Sequence, residues 1–286
     1  MNEASRLGST RLATGRRLGW AEWGPPDGTA VLFCPGAAQS RSLGFGTDVV
    51  GELGVRLISV DRPGLGISDP VPGRTLLDWA DDIAALADER AWGRFSVVGY
   101  SAGAPFALSC AASGLVASAA VVAGGDEMPR FVDVLPEHVR DAVRSAHSDP
   151  VRAEEFFAAF GEVDALWKMI LSSSSDLDLA VYRQPAFEAV LRRAMREGLA
   201  QGPAGYARDV VLGMRDWPFS AEDIAVPVDL WYGEQDTSPV HSPDSSADLA
   251  ARIPGAVRHL LPDAGGSALW THASRILRTL CQRRVA

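Results

Sequence analysis

A short apolar run ends in Gly-x-Ser-x-Gly at residues 96–103: Ser96-Val97-Val98-Gly99-Tyr100-Ser101-Ala102-Gly103. Residues 95–98 carry the β-branched pattern of a buried strand. The stretch after Ser101, Ala102-Gly103-Ala104-Pro105-Phe106-Ala107-Leu108, is helix-compatible beyond its first turn. Pro105 falls near the helix start, where its missing N–H does least harm. Strand, pentapeptide and helix together make a nucleophile elbow: a turn tight enough to hold the serine hydroxyl clear of the backbone, with glycines on either side. Ser101 is therefore a candidate nucleophile for acyl transfer. A serine hydroxyl attacks a carbonyl only when a base takes its proton, so the remaining chain must supply one.

The chain has 286 residues, 47% of them hydrophobic and 22% charged, which is long enough for a large core in one α/β unit with an insertion. Its net charge is −9 and its basic residues form nothing longer than a pair such as Arg283-Arg284. Nucleic acid is thereby excluded as an expected partner, and the acidity is read as a solubility feature. The three cysteines, Cys34, Cys110 and Cys281, are far apart in apolar settings, with neither disulfide nor zinc spacing. That pattern fits a reducing cytoplasm, with no metal or cofactor. Residues 1–6 lead into polar sequence with no secretory h-region, and no stretch is apolar enough to span a membrane. The expected partner is a small-molecule substrate; the oligomeric state stays open.

Outward from the elbow, strands and helices alternate. Residues 10–23 read as a hairpin turning at Thr14-Gly15, followed by strands at 30–33 and 55–60. Residues 75–90 place Leu76, Leu77, Ala80, Ile83, Ala84 and Ala87 on one helical face, with aspartates opposite. Another strand spans 117–123 and ends in Gly124-Gly125-Asp126. Between 127 and 217 only helices are expected, at 137–146, 151–160, 162–171 and 184–197, with Ser172 to Ser175 as a flexible break. Alternation resumes with a strand at 228–232, a helix near 245–251, a strand at 257–261 and a last helix from about 271 to 282. The implied fold is α/β: a mainly parallel sheet with helices on both faces. Residues 1–126 and 218–286 form its core, and 127–217 form a helical cap over the strand ends.

Four segments make the chain resemble α/β-hydrolase-fold proteins, in particular the capped group of proline iminopeptidases, epoxide hydrolases and small esterases. They are Phe33-Cys34-Pro35-Gly36-Ala37-Ala38, Asp61-Arg62-Pro63-Gly64-Leu65-Gly66-Ile67-Ser68, the elbow itself, and Trp231-Tyr232-Gly233-Glu234-Gln235-Asp236. The resemblance spans nearly the whole chain. It implies Ser101 as nucleophile and Asp236 as the acid that orients the base. It also implies an oxyanion hole from the N–H groups of Ala37 and Ala102. Losing one such donor typically costs about 3–4 kcal/mol of barrier. Pro35 stands where the family usually has a histidine that helps hold this loop. Asp61-Arg62 is read as a structural corner.

The family places its catalytic histidine after the last strand, in a Gly-His step; here that loop reads Ala264-Gly265-Gly266-Ser267. Glycine cannot accept a proton. Of the five histidines, His138 and His147 lie in the helical insertion and His259 lies within a strand, which leaves His241 and His272. His241 is five residues past Asp236. His272 is six past Gly266 and keeps the chain order Ser, Asp, His. The candidate set is thus Ser101, Asp236 and His272, with His241 as its alternative and Asp126 as a possible second acid. Trp167, Trp217, Trp231 and Trp270 are candidates for an apolar pocket or for the core. Three functions fit: a serine hydrolase of a small, largely apolar ester, lactone or amide; a non-hydrolytic enzyme on the same scaffold; and a ligand-binding pseudoenzyme. If the remaining machinery is intact, Gly266→His should raise esterase activity.

Overall fold

Along the inner strands, successive side chains enter two different apolar layers, which marks a sheet covered on both faces. The computed structural model describes residues 2–283; Met1 and residues 284–286, the end of the expected second core segment, lie outside it. Strands β1 (Arg6–Arg11) and β2 (Arg17–Trp23) form an antiparallel hairpin with the expected turn, but its first strand starts at Arg6, four residues before the expected 10–23. The others are β3 (Thr29–Cys34), β4 (Val55–Val60), β5 (Ser96–Tyr100), β6 (Ala119–Val122), β7 (Val228–Gly233) and β8 (Val257–Leu261). Their order in the eight-stranded sheet is β1-β2-β4-β3-β5-β6-β7-β8, and every pairing from β4 to β8 is parallel.

Helix α1 (Leu76–Glu89) starts at a capping box: Thr75 Oγ1 accepts from the Asp78 N–H, and the Asp78 carboxylate accepts from the Thr75 N–H. Its apolar face and that of α2 (Ala104–Ala112) cover one side of the sheet, where Trp79, Ile83 and Phe106 meet Leu32, Val97 and Val121. The alternate strand residues Phe33, Val98 and Val122 face the other side. Burying such side chains contributes roughly 1.5–3 kcal/mol each.

Between β6 and β7 stand six helices: α3 (Glu137–Ser148), α4 (Pro150–Ala159), α5 (Val163–Ser172), α6 (Asp176–Tyr182), α7 (Pro185–Gly198) and α8 (Ala204–Gly213). Four match the expected helices; α6 and α8 are additional. Ser175, read as part of a flexible break, caps α6 instead. This block has a small core of its own, with Val139, Val143 and Ala146 against Val211 and Met214. Leu166, Leu191 and Met195 join the second layer of the main sheet. After β7 come α9 (Ala247–Arg252), α10 (Ala268–Thr271) and α11 (Ala273–Arg283); Ile276 and Leu277 of α11 close the second layer. No helix among the described residues is long and apolar enough to cross a membrane.

Candidate active site

Strand β5 runs to Tyr100, so Ser101 is the first residue past the sheet, and its φ is +50°. A non-glycine residue in that region costs on the order of 1–3 kcal/mol, a strain that persists only where the surroundings impose it. The flanking glycines serve close approach. A Cβ on Gly99 would lie 2.8 Å from the Ala104 Cα, and one on Gly103 would collide with the Cys34 carbonyl. Strand β3 and helix α2 thus press the turn from both sides and leave the serine as its outward point.

Asp236 follows the end of β7. Its Oδ1 accepts from the Ser238 N–H at 3.0 Å. Pro239 then sits second in a turn closed by the His241 N–H on the Ser238 carbonyl at 3.3 Å. This turn folds the chain back, bringing His241 Nδ1 to 2.7 Å from Asp236 Oδ2. The opposite ring nitrogen, Nε2, lies 2.9 Å from Ser101 Oγ. Burial pushes the Asp236 carboxyl up, but His241 and the Ser238 N–H outweigh it and hold it below the usual carboxylate range. The ionised carboxylate favours an Nδ1–H, which leaves Nε2 as the acceptor facing the serine.

His272, taken with Ser101 and Asp236 from the sequence, is elsewhere. Its Nδ1 pairs with Thr271 Oγ1 at 2.9 Å and its Nε2 faces Asp263 at 3.6 Å. The intervening helical turn α10 carries it away from the serine into a surface groove with Arg275 and Arg278. His259 bonds Asp229 at 2.8 Å and stacks on Trp231, and His147 is exposed. His138 is exposed at the rim of the cavity described below.

A Cβ on Gly266 would lie 3.2 Å from Asp236 Oδ1 and 3.3 Å from His241 Cε1. A side chain at Gly266 would therefore crowd the imidazole–carboxylate pair. Gly265 also makes room for a side chain that the sequence reading does not single out, since a Cβ there would collide with the Asp178 carboxylate. Asp178 of α6, buried, accepts from the N–H groups of Gly266 and Ser267 at 3.0 and 2.7 Å and from Ser175 Oγ at 2.8 Å. The Ser175-x-x-Asp178 spacing at a helix start was its available signal. Asp126 is not bonded to His241; it accepts from Ser242 Oγ at 3.0 Å and braces the next residue of that loop. Burial pushes its carboxyl up to about 6, against the opposing pull of the Glu127 N–H and the Ser242 hydroxyl.

Ala37 lines the cavity beside Ser101, and Ala102 is the next residue of the elbow. The Pro35–Gly36 segment is held without the usual histidine. Arg62 donates to the Pro35 and Gly36 carbonyls at 2.7 and 2.9 Å, and Gln39 Oε1 accepts the Gly36 N–H at 2.8 Å. Arg62 is thus a structural support, as expected. The cavity that Ser101 opens into has a volume of about 370 Å³ and is walled mainly by apolar side chains of the helical block, among them Phe157, Leu166, Ile170 and Met195. Of the four tryptophans considered, only Trp270 lines it; Trp167, Trp217 and Trp231 are core.

The sequence pattern of the Alpha/beta hydrolase family matches residues 31–278. The chain belongs to this family. No curated protein sequence matches this hydrolase-family chain. Among solved structures, an enol-lactonase from Burkholderia xenovorans LB400 aligns with TM-score 0.72 and 18% identity, covering 98% of this chain and 100% of that one. The esterase RhEst1 from Rhodococcus sp. ECU1013 aligns with TM-score 0.64 and 21% identity over 98% of each chain. A bromoperoxidase from Bacillus anthracis aligns with TM-score 0.70 and 15% identity, covering 98% and 100%. At these identities the likeness shows the fold; the diversity of names leaves the chemistry of this alpha/beta hydrolase to its own side chains.

Proposed function

We infer that this chain is a serine hydrolase of small, largely apolar esters or lactones, with Ser101 as nucleophile, His241 as general base and Asp236 as orienting acid. The 2.9 Å approach of His241 Nε2 to Ser101 Oγ carries this reading. His241 takes the serine proton as Oγ attacks the substrate carbonyl. The tetrahedral oxyanion would meet the N–H groups of Ala37 and Ala102, a role that preorganised donors fill best. The imidazolium, steadied by Asp236, returns the proton to the leaving alcohol. Water, deprotonated by the same imidazole, then releases the acid from Ser101.

The resemblance to the capped hydrolases puts their histidine at Gly266. Here the loop of the acid supplies the base, and residues 127–217 act as the cap that gives the cavity its apolar wall. The non-hydrolytic and pseudoenzyme readings rested on the missing histidine, and the closeness of His241 to Ser101 favours the hydrolytic reading over them. The test is labelling of the folded protein with a fluorophosphonate, followed by peptide mapping. A single adduct on Ser101, lost in Ser101→Ala together with p-nitrophenyl hexanoate hydrolysis, is expected. A folded protein that takes up no label overturns the proposal.

A further inference from the structure

Tyr100, the residue before the serine, and Tyr182, the last residue of α6, bring their hydroxyls to 3.1 Å of each other. Both side chains line the cavity, and they are only 5% and 4% exposed. Two phenols own two protons, and the bond between them uses one. The second has no acceptor among the described residues. An unmade hydrogen bond on a buried donor costs roughly 1–3 kcal/mol, which an oxygen arriving with a ligand would recover.

The surroundings decide what kind of oxygen fits. Trp270 packs edge-on against Tyr100 at 4.6 Å and Tyr182 at 6.2 Å, so both rings are fixed. Burial first pushes both phenols up; Tyr100 adds to the rise at Tyr182 while the bond to Tyr182 opposes it at Tyr100, and the nearby carboxylates of Asp178 and Asp236 raise both, so the pair remains a donor. The same two carboxylates repel an anionic acceptor. Several other polar groups on the wall are already bonded: Gln39 Oε1 to the Gly36 N–H, the Ser173 and Ser174 hydroxyls to α5 carbonyls, and Asp178 to the Gly266 and Ser267 amides.

We propose that the Tyr100–Tyr182 pair is a second recognition point, binding an uncharged oxygen acceptor such as a ketone carried on the apolar body of the substrate. As a statement about substrate it rests on the hydrolase reading. As a binding site it is testable without turnover. Methyl pentyl ketone should raise the melting temperature of the full-length protein, and heptanoate should bind more weakly. In the double variant Tyr100→Phe/Tyr182→Phe the ketone affinity should fall roughly tenfold, the worth of one hydrogen bond. Equal ketone affinity in both proteins, or tighter binding of heptanoate, overturns the subsite.

If the double variant does not fold, p-nitrophenyl esters of hexanoic acid and of its oxo derivatives decide with the unmodified protein. At one ketone position kcat/KM should exceed that of the plain ester by roughly tenfold, and no preference at any position overturns the subsite. Absence of hydrolysis of every ester, with the ketone discrimination intact, would overturn the hydrolase reading and leave the subsite standing.

Discussion

His241 and His272 differ little as residues in a sequence; their surroundings separate them. His241 touches Ser101 and Asp236, at 2.9 and 2.7 Å, whereas His272 pairs with Thr271. His241→Gln should therefore lower kcat by a factor of about a thousand or more, and His272→Gln should leave it within about twofold, in p-nitrophenyl ester assays. Equal losses would sink the assignment. Gly266→His also reverses in sign. The sequence alone suggests that it restores a base, but its Cβ would press on Asp236 and His241 at 3.2 and 3.3 Å. Activity should drop at least tenfold in steady-state assays, and a gain would contradict the geometry. The signal for His241 was present in Ser238-Pro239, a turn dipeptide three residues ahead of it. What the sequence lacked was the direction in which that turn aims the ring.

Helix α6 is hard to read in the sequence because it has only seven residues behind a run of serines, and α8, as long as α4 and α5, because it starts directly behind Gly202-Pro203. Both are held by contacts with the core rather than by their own periodicity. Asp178 docks α6 on two backbone amides beside the His241–Asp236 pair. Asp178→Ala strands those buried donors and should cost about 1–3 kcal/mol in denaturant unfolding, with a lower kcat/KM expected because the loop behind His241, the proposed base, loosens. Asp178→Asn, which keeps an acceptor, should recover part of both. An alanine variant as stable as the parent would show that the contact is dispensable. The elements with strong internal pattern, such as the Thr75-capped α1 and the apolar strands, are found within one or two residues of their expected ends.

At the scale of the molecule, the helical block and the sheet are joined by a buried ionic node. Asp209 of α8 pairs with Arg62, at 2.6 Å, and with Arg74; all three side chains are 0–1% exposed. Both guanidiniums also lie over the Phe106 ring, at 4.8 and 5.7 Å. Removing the carboxylate would leave two buried cations unpaired, so Asp209→Ala should lose about 3–5 kcal/mol by denaturant titration. Because Arg62 also holds the Pro35 and Gly36 carbonyls, activity should fall with it. A change under about 1 kcal/mol would refute the node. Hydrophobic periodicity and the glycines around Ser101 are local properties, and they determined the sheet and the elbow, while the family resemblance of residues 231–236 pointed to Asp236. Which histidine meets the serine depended on where separate loops meet above the sheet. A turn at 238–241, a glycine pair at 265–266 and an aspartate from α6 settle it together, and no one of those segments contains the information about the others.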